Sequence, residues 1–265
     1  MTVCISAIGK ASDGKEVIVL ATDHMLTLEN IGSFEHDILK WRRVNGNAVA
    51  MLSGRTLLFT EILNETEGKS LFEVADQIDK NIRNILNNKI QKTLLDKFHL
   101  TYGELKTLLL TNPALNQLAV NVITNVDNYK LNTSILLVGF DVNGNAQIID
   151  INEADMYNFR DIGFGAIGSG GAQAINTLLF QKHSCDEDIM TTTYNVYKAK
   201  RNAEVSQGVG KDTQLCILFP DGSLKRLNSN DSFILSEIYE EELAVGKSHE
   251  KLKNIKEING AYDAN

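Results

Sequence analysis

Proline is nearly absent, with two in 265 residues, and its scarcity removes the usual mark of a hinge or rigid linker. No Pro/Gly/Ser-rich stretch divides the chain. Residues 1–245 therefore read as one domain, and the Lys-, Glu- and Asn-rich 246–265 as a charged tail. Cysteine is also sparse. Cys4, Cys185 and Cys216 are odd in number, widely spaced and without a CxxC, the pattern of reduced thiols in a cytoplasmic protein rather than a disulfide framework. No apolar run approaches membrane-spanning length, and the first residues lack the order of a signal peptide, so a soluble protein without a membrane partner is expected. Basic residues are outnumbered, 26 Lys and Arg against 34 Asp and Glu, and a net charge of −8 argues against nucleic acid as a partner. The five histidines (24, 36, 99, 183 and 249) show no HxxxH spacing, and neither a metal nor a cofactor is expected.

What is abundant is the signal for tight hairpins. Asp13-Gly14, Asn45-Gly46, Asn143-Gly144 and Asp221-Gly222 each separate two apolar, β-branched runs. The flanking pairs are Thr2 to Ile8 with Glu16 to Ala21, Ile38 to Val44 with Ala48 to Leu52, Ser134 to Val142 with Ala146 to Ile151, and Leu215 to Phe219 with Ser223 to Leu227. Asn-Gly and Asp-Gly supply the positive φ angles of tight turns, so the neighbours they join are antiparallel. A further strand is expected from Ile162 to Ile167. Between the hairpins, Ser70 to Leu100 carries Leu71, Val74, Ile78, Ile82 and Ile85 at helical spacing, with Ser70 and Glu73 placed as a capping box. Gly171 to Gln181 and Asp188 to Glu204 form a second helical pair, and another helix is expected over Asp231 to Val245. This order predicts an α+β fold, a four-layer αββα sandwich of two antiparallel sheets covered by helices.

Thr2 opens the first strand. A hydroxyl is a weak nucleophile without a base, but an N-terminal threonine carries one, its own α-amine, which titrates near neutrality. The runs "TVCISAI", "VIVLATDHMLT", "ILKWRRVNGNAVAMLSG" and "FGAIGSGGAQAINTLL", in this order and spacing, resemble the proteasome β-subunit superfamily of N-terminal nucleophile hydrolases. The resemblance runs from Thr2 to about Leu227, with an enlarged helical segment at 66–133. The opening Met-Thr-x-Cys is most similar to stand-alone homologues of the Anbu type.

The resemblance implies a threonine-type peptidase in which Thr2 is the nucleophile once Met1 is removed. Asp23 takes the family's acidic position, Lys40 that of its catalytic lysine, and Ser169 and Ser206 those of its two serines. The Met51 N–H falls where the oxyanion donor is expected. Thr27 would pair its backbone with an extended substrate, and Leu26, Ile38, Arg42, Val49 and Ser53 would line the first specificity pocket. The implied substrate is a peptide or unfolded protein, and the implied assembly is a homo-oligomer, a ring or spiral, with an unknown activator left open. Two positions depart from the family pattern: Ala203 stands where an aspartate is expected, and Met51 where a glycine is. Two rivals stay open, an amidohydrolase of small acyl-amides on the same fold and a non-catalytic assembly subunit.

Overall fold

The computed structural model describes residues 2–28, 32–36, 39–111 and 116–246; Ile38 and all of the expected tail beyond Gly246 lie outside the described residues. Residues up to Arg226 form one compact unit, and the chain from Leu227 a second that carries helix α7 (Ser229–Gly246).

The expected sandwich is present. One sheet has the order β10-β1-β2-β11-β12, from β1 (Val3–Lys10), β2 (Glu16–Asp23), β10 (Phe164–Gly168), β11 (Thr213–Leu218) and β12 (Leu224–Arg226). The other has the order β5-β6-β7-β8-β9, from β5 (Trp41–Asn45), β6 (Ala48–Ser53), β7 (Ser134–Phe140), β8 (Ala146–Asn152) and β9 (Met156–Asn158). Every pairing within both sheets is antiparallel. Alternation along the strands divides the apolar side chains between two faces. Cys4, Ile8, Ile18, Leu20, Val49, Met51, Leu136, Val138, Ile148 and Ile167 form the core between the sheets.

The other face of the β5–β9 sheet presents Ala50, Leu52, Ile135, Leu137, Ile149 and Ile151 to α1 (Phe59–Ile62) and α2 (Leu71–Ile90). Helix α2 buries Leu71, Val74, Ala75, Ile78, Ile82 and Ile85. Burial of each larger member of that stripe stabilises the layer by about 1.5–3 kcal/mol. Its start is fixed as the sequence predicts, the Ser70 N–H donating to Glu73 Oε2 at 2.8 Å. The opposite sheet is covered by α5 (Gly171–Phe180) and α6 (Ile189–Ala203).

Among the departures from the expected elements, three are large. Helix α2 stops at Ile90 and passes through a wider π turn, Gln91–Leu95, and a 3₁₀ turn, Asp96–Phe98, before His99 ends it in the left-handed region at φ 52°. Beyond it, α3 (Tyr102–Thr111) and α4 (Asn116–Asp127) enclose a small separate core of Leu95, Leu105, Ala119 and Val122. The third is an extra hairpin of β3 (Met25–Leu28) and β4 (Gly32–Glu35), which forms a two-stranded sheet of its own directly after Asp23.

Candidate active site

The fold brings Thr2, Asp23 and Lys40 together from three places in the sequence. Thr2 precedes β1, Asp23 ends β2, and Lys40 stands just before β5. Lys40 is pinned at its backbone, since the Leu52 N–H of β6 donates to its carbonyl at 2.9 Å. All three residues are nearly sealed from solvent, at 3%, 1% and 3% exposure. Lys40 Nζ donates to Thr2 Oγ1, and Thr2 Oγ1 donates to Asp23 Oδ1. Lys40 Nζ also donates to Asp23 Oδ1 at 2.8 Å, closing the triangle.

Asp23 accepts from further donors. The Val3 N–H reaches Oδ1 at 2.9 Å, and the Met25 and Gly210 N–H groups reach Oδ2 at 3.0 Å each. Burial pushes the carboxyl up, but the Lys40 charge and the hydrogen bonds from Lys40, Thr2 and Gly210 outweigh it and hold the carboxyl below its ordinary value. Asp23 is therefore a carboxylate throughout the neutral range, and its pairing with a buried ammonium leaves no net charge stranded.

Ser169 lies in the turn between β10 and α5. The Thr2 N–H donates to Ser169 Oγ at 3.3 Å, Ser169 Oγ donates to the Thr2 carbonyl at 3.3 Å, and the Gly170 N–H approaches the same carbonyl at 3.4 Å. The turn has to press close to Thr2: at Gly168, with φ +95°, a Cβ would lie 2.2 Å from the Thr2 carbonyl oxygen.

Ser206 follows α6. Its N–H donates to the Ala203 carbonyl at 3.0 Å, and its buried Oγ has no partner among the described residues. Ala203 itself is fully buried and takes no polar part.

The sequence-expected pocket is only partly assembled here. Leu26 and Thr27 sit on β3, Thr27 paired with Ser33, and Ser53 ends β6 with its Oγ 2.9 Å from where a Cβ on Gly168 would stand. Val49 lies in the core between the sheets. Arg42 is exposed on the helix-facing side of β5, its guanidinium 4.9 Å over the Phe59 ring and donating to Thr60 Oγ1 at 2.8 Å. Ile38 lies outside the described residues.

Met51 does not fit the oxyanion role. Antiparallel strands turn successive N–H groups to opposite neighbours. Leu52 bonds toward β5, so the Met51 N–H turns toward β7, where Met51 is paired with Leu136 inside the sheet. Its side chain is fully buried between the sheets.

Cys4, two residues along β1 from Thr2, is no rival nucleophile. Burial pushes its thiol up to about 12, and its Sγ contacts the Leu52 carbonyl at 3.5 Å.

A four-layer αββα sandwich that buries a hydroxyl, a carboxylate and an ammonium at the mouth of its first strand has the architecture of the N-terminal nucleophile hydrolase fold. More particularly, it is similar to the Anbu-type, proteasome-like structures. Over 94% of this chain and 99% of the other it superposes on an Anbu (Gly-1) mutant from Hyphomicrobium sp. strain MC1, with a TM-score of 0.60 and 14% identity. Over 92% and 96% it superposes on Anbu, an ancestral beta-subunit, from Yersinia bercovieri, with a TM-score of 0.62 and 13% identity. No family model matches the sequence, and no curated protein matches it.

Proposed function

We propose that the chain is a threonine-type N-terminal nucleophile hydrolase that cleaves peptide bonds, with Thr2 as nucleophile after removal of Met1. The observation that carries this reading is the Thr2 hydroxyl held between Lys40 Nζ and Asp23 Oδ1 among side chains that are nearly buried.

In the encoded chain the Thr2 nitrogen belongs to an amide, and it donates toward Ser169. An amide nitrogen has no basic lone pair and takes no proton from the hydroxyl. Threonine is small enough at the second position for methionine aminopeptidase to remove Met1. The freed α-amine then becomes the base, with an ordinary pKa of about 7.7–8.0 that the neighbouring ammonium lowers.

The amine takes the hydroxyl proton as Oγ1 bonds to the substrate carbonyl carbon. The carbon–nitrogen bond breaks, the leaving amine carries the proton away, and water hydrolyses the ester with the same base. Oxyanion stabilisation needs an N–H that the sheet does not consume. We assign this role to the Gly54 N–H, on the residue directly after β6 and two beyond Leu52. Leu26, Thr27 and Ser53 border the place where an extended peptide would lie.

The test compares one preparation with Met1 removed and one with it retained, each treated with an epoxyketone, which needs both hydroxyl and free amine. Only the processed protein, lighter by one methionine residue, is expected to gain the inhibitor's mass and to hydrolyse fluorogenic peptides. Full activity with Met1 demonstrably present would rule the mechanism out. Hydrolysis of small acyl-amides alone would move the assignment to the small-molecule rival.

A cytoplasmic homo-oligomer completes the proposal. Leu179, Phe180 and Met190 stand 56%, 86% and 78% exposed on the helical layer of α5 and α6, an apolar surface through which such sandwiches can stack. Light scattering should give a mass well above the 29.3 kDa of one chain, and a monomer at all concentrations would contradict assembly.

A further inference from the structure

The mechanism above makes no use of Lys200, whose residue is fully buried on α6. A lysine is expensive to bury, and burial lowers this one from its ordinary value despite the facing Glu204 carboxylate. Its Nζ makes two hydrogen bonds, to Glu204 Oε1 at 2.7 Å and to the Lys211 carbonyl at 2.6 Å. The first joins neighbouring turns at the end of the helix. The second leaves the helix and grips the 208–212 strap that runs into β11.

The same strap is held from the opposite side. Glu35, at the end of β4, accepts the Lys211 N–H at 2.5 Å and the Asp212 N–H at 3.1 Å. Lys211 is thus gripped at its carbonyl by a cation and at its N–H by an anion. Between these grips and Asp23 lies Gly210, whose N–H donates to Asp23 Oδ2 at 3.0 Å. Glycine leaves room for the approach, since a Cβ there would press on the Glu35 grip, 2.7 Å from Oε1, and lie 3.1 Å from the Met25 nitrogen. Val209 braces the strap against the serine turn, its Cγ2 2.9 Å from where a Cβ on Gly170 would stand.

We propose that Lys200 is a positioning residue for Asp23: with Glu204 and Glu35 it fixes the strap so that the Gly210 N–H holds the Oδ2 edge of the carboxylate. This rests on the reading of Thr2, Asp23 and Lys40 as the reacting group. It also assigns work to α6 in a chain that has Ala203 where its resembled family has an aspartate. There the helix acts through the strap backbone, one residue removed from the site.

The charged groups around this arrangement fix the direction of the effect. Asp23 faces Lys40 and the more distant Lys200, with the Cys4 thiol on β1 nearby; Lys200 faces Glu204 and Asp23 and is opposed by Arg201. Removing the Lys200 charge and loosening the Gly210 N–H both take support from the Asp23 carboxylate. Its carboxyl then moves up toward the ordinary value, and the acid limb of the reaction moves to higher pH.

The experiment uses the full chain with Lys200→Met, and with Glu204→Gln as the conservative variant that keeps an acceptor for Nζ. The Asp23 carboxyl is titrated by carbon-13 NMR, and the rate of epoxyketone labelling is measured against pH. In Lys200→Met both midpoints should rise by about one pH unit, the scale of losing one hydrogen bond to a carboxylate. Glu204→Gln should stay near the parent. If the parent protein titrates but takes no label, the peptidase reading fails while the NMR arm still decides the strap. If Lys200→Met does not fold, Glu35→Ala loosens the strap from its exposed side and should shift Asp23 in the same direction. A folded variant with the Lys200 or Glu35 grip removed and an unmoved Asp23 titration overturns the proposal.

Discussion

Among the described residues Asp23 is held by five donors, from Thr2, Val3, Met25, Lys40 and Gly210, and of these Lys40 alone carries charge. Substitutions on the two sides of the ion pair should therefore differ. Lys40→Met removes the cation but leaves the carboxylate four hydrogen-bond donors. Asp23→Asn leaves the Lys40 ammonium buried without a counter-charge, and the amide that replaces the carboxylate cannot accept at both ends. An uncompensated buried charge costs about 3–5 kcal/mol. In the proposed mechanism either change should slow Thr2 labelling by about 10²–10⁴-fold, the usual size of a lost acid–base contribution. Melting curves should nonetheless rank Asp23→Asn well below Lys40→Met. The opposite ranking, or a Lys40→Met protein that labels at the parental rate, would remove the roles given to this pair.

The elements were legible where the chain's own chemistry dictates them. Four Asn-Gly or Asp-Gly turns mark antiparallel neighbours, and the stripe from Leu71 to Ile85 marks a helix with a flat apolar sheet beneath it. The hairpin of β3 and β4 is not legible because each strand has four residues, with no tight-turn dipeptide between them and no alternation long enough to read. Strand β9 is three exposed residues on a sheet edge, and nothing in Met156–Asn158 distinguishes it from a loop. The end of α2 is not legible because the π turn keeps Leu95 facing apolar neighbours without keeping the 3.6-residue period.

The candidate site divides in the same way. Thr2, Asp23, Lys40 and Ser169 stand at strand ends, where counting residues along a strand also fixes position in space. Met51 shows the limit of counting, because the side of β6 its N–H faces depends on pairing with β5 and β7. Lys200 carried no signal at all, since its importance lies in the Lys211 carbonyl that the fold brings to it.

At the scale of the whole molecule, a buried carboxyl, Asp23, and a half-buried one, Asp150, pull stability in opposite directions with pH. The Asp23 carboxyl is lowered on folding, so its contribution is fully present above the unfolded value and is lost as the pH falls through the folded one. Asp150 behaves in the reverse sense. It lies on β8 two residues from Ile148, hence on the face turned toward the other sheet, and its Oδ1 has no partner among the described residues. Burial raises its carboxyl from 3.8 to about 6, against a weaker opposing hydrogen bond with Asn152. A raised folded value means that stability is intact below the unfolded one and drains away as the pH climbs to the folded one. Above about pH 6 the protein therefore holds a poorly compensated carboxylate between its sheets. The shift corresponds to about 3 kcal/mol at most, and partial solvent access reduces this to about 2 kcal/mol. Asp150→Asn keeps the shape and never ionises. Thermal melts should show the variant more stable than the parent at pH 8 and close to it at pH 3.5, below the unfolded value, while both lose stability together on further acidification as Asp23 takes up its proton. An equal effect of Asp150→Asn at both pH values would mean that packing at this position, and not its charge, governs the difference.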